Sequence, residues 1–360
     1  MKVGILEWIC GGGMWDIAPA FVSDSLRAEG WSMLSTAAND LAVSGHEVWL
    51  AVDPRLVSAQ QCDQLGNGCR VVTSTGQQGS LPGAWREIAG TADATLLIAP
   101  ELSGALEQTS MQLKPISKLL CNSQGDFLTN SCDKWRTALS LMRSGLPHPA
   151  TQLMSEVRRT WLKQQKYSSG RWIVKPRDGA GCEGIRILTC SEVLSLQEIM
   201  LATNTASRWI VQPFIEGPSF SRAAIVGCEG YALWLPPVTQ ELLFGEKISY
   251  QGGRVLRPQG YLFMDRKSSV GLSVSQLDKL ANLTLSALGP GAFGWIGFDL
   301  LYSLCDQQWM VIEANPRLTT SFIGLASAGG AGLMDQLLCA CMGQPVARDR
   351  NWHSLDFHIK

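Results

Sequence analysis

The chain has 360 residues, more than one hydrophobic core of ordinary size holds, so we expect two or three domains. It contains 30 lysines and arginines against 31 aspartates and glutamates. This balance excludes a strongly basic surface for nucleic acid or an acidic membrane, and neither is expected as a partner. Any phosphate must therefore be bound by a few local residues.

Segments that would target or anchor the chain are not predicted. No apolar run approaches the roughly 20 residues of a spanning helix, and the start MKVGILEW lacks the basic region and cleavage site of a signal peptide. Eleven cysteines, an odd total without CxxC spacing, fit neither a disulfide framework nor a zinc site. We therefore expect a cytoplasmic protein with reduced thiols.

The first 120 residues alternate short apolar runs with helical segments. Residues 3–6 predict a buried strand, and after a loop to about Gly30 a helix is expected with Ser32 as its N-cap and Gly45 past its end. Further apolar runs follow at residues 48–52, 71–72, 96–99 and 119–121. The pattern predicts an open parallel α/β sheet of Rossmann type.

Three glycines at residues 11–13 follow the first predicted strand. They do not form a GxGxxG motif, and no helix follows them at once, so the pattern does not favour a dinucleotide site. A tight turn and a contact with substrate are the two interpretations that stay open.

A lysine lies at the start of the next predicted helix. Residues 130–145 place apolar side chains on one face, and Gly145 follows the helix end. Lys134 near the N-terminus works against the helix dipole, and a lysine and a dipole together would favour a bound phosphate. A solvated surface lysine is the alternative.

A glycine-rich turn joins two predicted strands in the centre of the chain. Residues 172–176 (WIVKP) carry Lys175 in a buried strand, residues 178–184 (DGAGCEG) form the turn, and residues 185–188 form the second strand. Backbone N–H groups of such a turn can wrap phosphates, and a long hairpin turn without a ligand is the alternative. The turn is not a P-loop, because GxxxxGK[ST] is absent.

A hairpin with polar side chains is predicted from two apolar runs at residues 295–302 and 309–315. Because side chains alternate along a strand, Asp299 of the first strand can converge with Glu313 and Asn315 of the second. The same alternation places Trp309 and Val311 on the face of Glu313. Oxygen ligands in apolar surroundings suit Mg²⁺. The pattern fits equally well with a hairpin whose polar residues only mark its solvent-exposed edge.

Taken in order, these segments resemble the ATP-grasp superfamily of carboxylate-amine ligases. The resemblance covers residues 1–345 and is carried by Asp133-Lys134, IVKPRDGAGCEG at 173–184, VQPFIEG at 211–217, GWIGFDLLY at 294–302 and VIEANPRLTT at 311–320. Within the superfamily, MKVGILEWICGGGM, YQGG at 250–253 and NPRLTTS at 315–321 are most similar to the branch that contains tyramine-glutamate ligase of methanofuran biosynthesis.

The resemblance implies an α/β protein, α+β in its C-terminal part, in which an ATP-grasp fold follows a Rossmann-like pre-ATP-grasp domain. The implied division is an amino-terminal domain at 1–120, a central subdomain with the phosphate loop at 121–215, a C-terminal subdomain with the metal site at 216–345 and a tail at 346–360.

Site residues follow from the resemblance by position. The residues implied to hold or cover the ATP phosphates are Lys134, Lys175, Asp178, Gly179, Ala180, Gly181 and Gly184. The hinge that reads adenine would be Gln212, Pro213, Phe214 and Ile215, and the magnesium ligands would be Asp299, Glu313 and Asn315. Arg317 matches an arginine that faces the transferred phosphoryl group, so the expected catalytic residues are Arg317 and Lys175.

Two positions depart from the pattern of the superfamily. Gln212 stands where a glutamate is common, and Ser219 stands where many relatives carry the acid that binds ribose. Ribose could be held by Ser219, by Glu216 or by another residue.

The implied reaction is attack of a substrate carboxylate on the γ-phosphorus of ATP, followed by capture of the acyl phosphate by an amine, with release of ADP and phosphate. The implied cofactors are ATP and two Mg²⁺ ions, which Mn²⁺ can replace. The branch implies small-molecule substrates, glutamate with an aromatic amine or amino acid such as tyramine or tyrosine, and relatives are often homodimers.

Composition offers only candidates for the substrate contacts. Arg254, Arg257 or Arg317 could pair with carboxylates of glutamate, and Tyr250 or Trp8 could stack on an aromatic amine. Three other readings stay open: another ATP-grasp amino-acid or peptide ligase, a phosphotransferase, and a nucleotide-binding module without turnover.

Overall fold

The computed structural model of the protein describes residues 1–76, 81–166, 170–179, 181–244, 248–257, 261–263, 271–347 and 350–358. The elements of its amino-terminal part are β1 (Lys2–Glu7), α1 (Asp24–Val43), β2 (Glu47–Val52), α2 (Ala59–Asp63), β3 (Cys69–Thr73), α3 (Gly83–Thr91), β4 (Ala94–Ile98) and α4 (Ala105–Leu113). The strands pair in parallel in the order β3-β2-β1-β4, which confirms the predicted sheet. Of residues 119–121, Leu120 adds an isolated parallel bridge to Thr95 and not a full strand.

Helix α1 begins at Asp24 and not after Ser32, so the prediction of a loop up to Gly30 was wrong. Ser23 is the N-cap, and its hydroxyl accepts a hydrogen bond from the Leu26 backbone N–H. Gly30 lies inside the helix where α1 passes the end of β1, and a Cβ atom on it would lie 2.9 Å from Glu7 Oε1. The glycine thus marks a close approach of helix and sheet.

The central part comprises α5 (Gly125–Ser131), α6 (Lys134–Arg143), β5 (Gln152–Leu153), α7 (Arg159–Gln164), β6 (Arg171–Pro176), β7 (Arg186–Thr189), α8 (Cys190–Ala202) and β8 (Trp209–Pro213). Its strands form an antiparallel sheet of order β5-β8-β6-β7. The single helix predicted at 130–145 is two helices, because Asp133 caps α6 and its carboxylate accepts a hydrogen bond of 2.9 Å from the Trp135 N–H.

The C-terminal part comprises β9 (Ser219–Val226), β10 (Ala232–Trp234), β11 (Val238–Thr239), β12 (Glu241–Phe244), β13 (Ile248–Val255), β14 (Tyr261–Phe263), β15 (Gly271–Ser273), α9 (Val274–Ala287), β16 (Gly294–Ser303), β17 (Gln308–Asn315), α10 (Ser321–Gly329), α11 (Leu333–Cys341) and β18 (Leu355–His358). Its main sheet is antiparallel with the order β12-β13-β11-β9-β16-β17, while β10 pairs with β9 and β18 pairs with β13. Strand β18 lies in the segment that was expected to be a tail.

The amino-terminal and C-terminal parts share one hydrophobic core. Leu34 and Leu41 of α1 belong to the same buried cluster as Phe322 of α10 and Leu337 of α11. Among the described residues, no single helix is long and apolar enough to cross a membrane, and α10 and α11 reach that length only together, as a pair bent by 105°. Burial in the common core accounts for their apolar composition.

Polar contacts hold the same two parts together at one end of α11. The two carboxylate oxygens of Asp40 accept hydrogen bonds of 2.7 Å from the Gly332 N–H and 2.6 Å from the Met334 N–H. His46 lies beside this contact, with its Nε2 atom 2.9 Å from Asp335 Oδ1. Asp40 therefore serves a helix N-terminus that is remote from it in the sequence.

Candidate active site

A cavity of about 480 Å³ lies between the central sheet and the main C-terminal sheet. The predicted site residues that line it are Lys134, Lys175, Asp178, Gly179, Gly181, Gln212, Pro213, Phe214, Ile215, Ser219, Asp299, Glu313, Asn315 and Arg317. Gly184 does not line it: a Cβ atom there would lie 2.9 Å from Pro176 Cγ, so this glycine serves packing of the turn. Ala180 lies outside the described residues.

Strands β16 and β17 place two carboxylates directly opposite each other. Asp299 pairs with Glu313 and Gly297 pairs with Asn315 in the antiparallel register. Asn315 Nδ2 donates a hydrogen bond of 3.1 Å to Asp299 Oδ2, and Gln240 Nε2 donates one of 2.7 Å to Asp299 Oδ1. The convergence of Asp299, Glu313 and Asn315 that the sequence predicted is present.

A β-bulge in this hairpin overturns one detail of the predicted alternation. The register shifts between Asp299 and Leu300, so that Leu300 pairs with Val311 and Ile312 is the extra residue. Trp309 and Val311 therefore lie in the core beneath the sheet, whereas Ile312 and Glu313 both line the cavity. The prediction that Trp309 and Val311 share a face with Glu313 was wrong.

The two carboxyl groups have different pKa values because their surroundings differ. Burial raises the pKa of Asp299 to about 7, and the charge of Glu313 adds to the shift. Burial would also raise the pKa of Glu313, but the charges of Lys134 and Lys175 outweigh it and hold that pKa below its usual range. A divalent cation would relieve the repulsion, so the donor set of two carboxylates and one amide oxygen fits Mg²⁺. This set has only two carboxylates, and within the described residues there is no cluster of three or more His, Cys, Asp or Glu side chains suited to a metal.

Lys134 connects the glycine-rich turn to this carboxylate pair. Its Nζ atom donates a hydrogen bond of 2.9 Å to the Gly179 carbonyl and lies 3.3 Å from Glu313 Oε2. Burial opposes its charge, but Glu313 and Glu101 raise its pKa above the usual value. The alternative of a solvated surface lysine is therefore excluded.

Lys175 is buried on β6 and faces the same cavity. Its residue is 3% exposed, and burial lowers its pKa to about 8, with the nearby charge of Glu313 opposing the shift. Two buried lysines lie at this end of the cavity with Glu313 as the carboxylate that acts on both, and burying two cations is costly unless anions compensate them. Their position suits an anion such as a polyphosphate.

Described residues of the glycine-rich turn between β6 and β7 have left-handed backbone conformations. Gly179 and Gly181 have φ values of 125° and 66°, and Cys182 has a φ of 63°. The Asp178 carboxylate accepts a hydrogen bond of 2.6 Å from the Ser103 N–H, which ties the turn to the amino-terminal part. In this structure Asp178 thus orders the turn.

The end of β8 and the segment that follows it form another wall of the cavity. Gln212 is 5% exposed, and its Nε2 atom donates a hydrogen bond of 2.8 Å to Thr151 Oγ1. The Phe214 ring lies under the Arg171 guanidinium at 4.1 Å and contacts Phe244 edge-on at 6.2 Å. Phe214 and Phe244 give this end of the cavity an aromatic lining suited to a planar ring. Ser219 opens strand β9 next to this wall.

Arg317 is engaged with a residue that the sequence did not single out. Its Nε and one terminal nitrogen donate hydrogen bonds of 2.9 and 3.0 Å to the two carboxylate oxygens of Glu101, just after β4. Both residues are buried. Arg317 therefore lines the cavity while its guanidinium group is paired with Glu101.

Other cavity residues were missed or only guessed. Glu29 of α1 and Gln240 line the cavity without having been predicted. Thr320, from the segment 311–320 that carries the resemblance, and Tyr250, one of the candidate aromatic contacts, line it as well. Arg254, by contrast, pairs with Asp356 on the exposed sheet edge. A weak signal for Glu29 was its place beside a glycine in an otherwise helical stretch.

Two further expectations concern the amino-terminal turn. Trp8 packs edge-on against Trp85 at 6.0 Å and does not line the cavity. The glycines at 11–13 form a tight turn: a Cβ atom on Gly11 would lie 2.2 Å from the Glu7 carbonyl oxygen, and Gly12 has a φ of 99°. The turn interpretation accounts for their presence.

The comparison with known families agrees with this geometry. An ATP-grasp domain (ATP-grasp_3) matches residues 131–321, which is more than half of the chain, and a pre ATP-grasp 3 domain matches residues 46–126. The chain belongs to the ATP-grasp family. No curated protein matches it.

Solved structures with this fold are similar over nearly the whole chain. An ATP-grasp superfamily protein from Archaeoglobus fulgidus is 19% identical, with 99% of each chain covered and a TM-score of 0.61. N5-carboxyaminoimidazole synthetase from Staphylococcus aureus complexed with ADP is 13% identical, with 98% of this chain and 79% of that chain covered and a TM-score of 0.66. Biotin carboxylase from Campylobacter jejuni is 14% identical, with 98% and 73% covered and a TM-score of 0.65. At these identities the likeness shows the fold alone.

Proposed function

We propose that this protein is an ATP-dependent carboxylate-amine ligase that works through an acyl phosphate. The observation that carries the proposal is the position of Lys134, whose ammonium group contacts both the glycine-rich turn and Glu313 of the carboxylate pair. One cavity therefore combines groups for phosphate with groups for a metal. Among the described residues that line it there is no histidine, so the cavity favours a reaction without a phosphohistidine.

The residues present fit the cofactors that the family uses. Lys134 and Lys175 would bind the phosphates of ATP, and Phe214 with its neighbours would contact the adenine. Asp299, Glu313 and Asn315 would hold Mg²⁺. Bound there, magnesium would offset charge on the phosphate oxygens.

The protein's own groups would act mainly by positioning and by neutralising charge. Arg317 and the two lysines would stabilise the anionic phosphoryl group, which needs no protein nucleophile. The glycine-rich turn would cover the phosphates and keep water from the acyl phosphate. Ser219 at the start of β9 is a candidate for the ribose.

For the substrates we propose glutamate as the carboxylate and an aromatic amine or amino acid, such as tyramine or tyrosine, as the acceptor. Support comes from the sequence resemblance and from Tyr250, an aromatic side chain in the cavity. Burial and the charges of Asp299 and Glu29 raise the pKa of Tyr250, so its hydroxyl stays neutral and can donate a hydrogen bond. We further propose a cytoplasmic enzyme of cofactor biosynthesis.

Coupled measurement of ADP release tests the reaction class. The chain is incubated with ATP, Mg²⁺ and pairs drawn from amino acids and amines, with glutamate and tyramine as the first pair. We expect ADP release that requires both partners and falls about 100-fold or more in Asp299→Asn and Glu313→Ala. Asp356→Asn, on the exposed sheet edge, is the control that keeps the rate.

Two results would contradict the proposal. Undiminished turnover of Asp299→Asn or Glu313→Ala would remove the metal assignment. Bound nucleotide without ADP release for any pair would favour a nucleotide-binding module without turnover.

A further inference from the structure

A second cavity, of about 40 Å³, lies at the carboxyl edge of the amino-terminal sheet. It is bounded by the ends of β1 and β4, at Glu7 and Ile98, and by helix α1. The chain leaves β1 toward β2 on one side, while β4 lies on the other, so this is the switch point where open α/β sheets bind ligands. Glu29 and Arg317 line both this cavity and the larger one. The two cavities therefore meet at these two side chains.

Glu29 reaches this junction from helix α1. Its Oε1 atom accepts a hydrogen bond from Thr320 Oγ1, which fixes the carboxylate at the wall of the large cavity. Its Oε2 atom lies 3.6 Å from the position that a Cβ atom on Gly181 would take, so it faces the glycine-rich turn. Among the described lysines and arginines, none forms an ion pair with Glu29 at 4.0 Å or less.

Glu7 stands behind Glu29 in the small cavity. Its residue is 2% exposed, and its carboxylate accepts hydrogen bonds from the backbone N–H groups of Ile9, at 3.0 Å, and Cys10. Burial raises the pKa of Glu7 to about 7, and the charge of Glu29 adds to the shift. The absence of a side chain on Gly30 leaves room for this carboxylate. Glu7 therefore lies buried near a second acid, Glu29, although burial and the repulsion between the two carboxylates are both unfavourable.

Arg317, which lines both cavities, is already engaged with Glu101, and the charge of Glu29 makes a smaller contribution to its raised pKa. Its guanidinium is shared with both oxygens of Glu101 at 2.9 and 3.0 Å. The remaining wall of the small cavity is apolar, with Leu26, Met33 and Ala99. The junction can therefore accept one small cation carried on an apolar chain, and a cavity of about 40 Å³ has room for an ammonium group, which is about the size of a water molecule.

We propose that Glu29 binds the primary ammonium group of a substrate, with Glu7 adding its charge from behind. This rests on the proposed function, in which both the acceptor amine and an amino-acid donor carry such a group. Arg317 and Gly181 lie next to Glu29, so the ammonium group sits beside the place where the phosphoryl group is transferred. Glu29 is then the residue that selects amines over neutral isosteres.

Binding, measured by calorimetry with ADP and Mg²⁺ present, tests this without turnover. Tyramine is compared with tyrosol, which has a hydroxyl in place of the ammonium group, and L-glutamate is compared with glutarate, which lacks it. We expect the wild type to prefer the ammonium compound of at least one pair by about tenfold, and Glu29→Gln to lose that preference. Loss in the first pair assigns the acceptor amine, and loss in the second assigns the donor.

Glu107→Gln is the matched control. Glu107 is half-buried like Glu29 and likewise accepts a hydrogen bond from a threonine hydroxyl, that of Thr129 at 2.5 Å, but it lines neither cavity. We expect it to keep the preference of the wild type.

The possible outcomes distinguish a failure of the Glu29 proposal from a failure of the proposed ligase reaction. If Glu29→Gln keeps the preference, or if the wild type binds each pair equally, the proposal for Glu29 is wrong. If the preference is lost in Glu29→Gln but the wild type releases no ADP with any partner, the proposed ligase reaction is wrong and the ammonium site stands. Thermal unfolding of both variants verifies that each is folded.

Discussion

Glu101 and Arg317 lie 216 positions apart in the sequence and are joined by two hydrogen bonds of 2.9 and 3.0 Å. Glu101 is 4% exposed and Arg317 is 8% exposed. The pair links the end of the amino-terminal sheet to the loop after β17, next to the cavity lined by the carboxylate pair and the two buried lysines. Burial opposes the charge of Arg317, but Glu101 raises its pKa, so the guanidinium remains charged.

Glu101→Gln is expected to leave Arg317 as an uncompensated buried charge. The free energy of unfolding should fall by about 3–5 kcal/mol, the usual cost of breaking a buried ion pair from one side. Urea denaturation followed by tryptophan fluorescence measures the change. The double variant Glu101→Gln/Arg317→Met should recover part of the loss, because no charge is then left unpaired. A loss below about 1 kcal/mol in the single variant would show that the pair is not a stabilising contact.

The low pKa of Lys175 predicts weaker nucleotide binding at alkaline pH. Below its pKa of about 8 the ammonium form is present and attracts phosphate, whereas above it the neutral amine prevails. We expect the Kd for ADP to rise roughly fivefold to tenfold between about pH 7 and about pH 9. Lys175→Arg should flatten this dependence, since arginine stays charged. A wild-type profile that is flat over the same range would contradict the assignment of Lys175 to phosphate.

Magnesium is expected to stabilise the protein through Asp299 and Glu313. Adding Mg²⁺ with ADP should raise the Tm of the wild type, and chelation with EDTA should remove the gain, because a ligand of the folded state stabilises it by mass action. In EDTA, Asp299→Asn should unfold at the same or a higher temperature than the wild type, since it removes a charge that burial and Glu313 disfavour. Equal Mg²⁺ responses in wild type and variant would count against the metal site.

Asp40→Ala is expected to loosen the contact between α1 and the N-terminus of α11. It removes the acceptor for the Gly332 and Met334 N–H groups, at 2.7 and 2.6 Å. The loss should be about 1–2 kcal/mol in chemical denaturation, as for the removal of a good N-cap. Asp63→Ala, exposed at the end of α2, is the control and should change stability by less than about 0.5 kcal/mol. An effect of Asp40→Ala no larger than that of the control would exclude a structural role.

The parts of the site that short-range patterns encode were predictable from the sequence. The hairpin of β16 and β17 and the strand that carries Lys175 follow from apolar runs of strand length, and the structure places Asp299 opposite Glu313. The bulge at Ile312 was not predictable, because strict alternation gives no sign of an extra residue. Its position depends on how β17 packs on the core around Val311.

Glu29 was missed for a physical reason. A glycine within a helix is unfavourable, so Gly30 together with the polar residues before it was interpreted as a loop. The glycine is required by the approach of α1 to the Glu7 carboxylate, a contact between two elements that no local pattern reports. Glu101 escaped notice for the same kind of reason, since its partner lies in the other half of the chain.

The contacts of Glu29 with Thr320 and of Glu101 with Arg317 join the amino-terminal part to the C-terminal part, and this has a consequence for protein engineering. A chimaera that joins the amino-terminal part of this chain to the ATP-grasp part of a relative brings together surfaces that did not evolve as a set. To preserve the site, such an exchange must carry each partner along, Glu29 with Thr320 and Glu101 with Arg317. An exchange that preserves the site must therefore transfer both residues of each contact, and the domain alone is not sufficient.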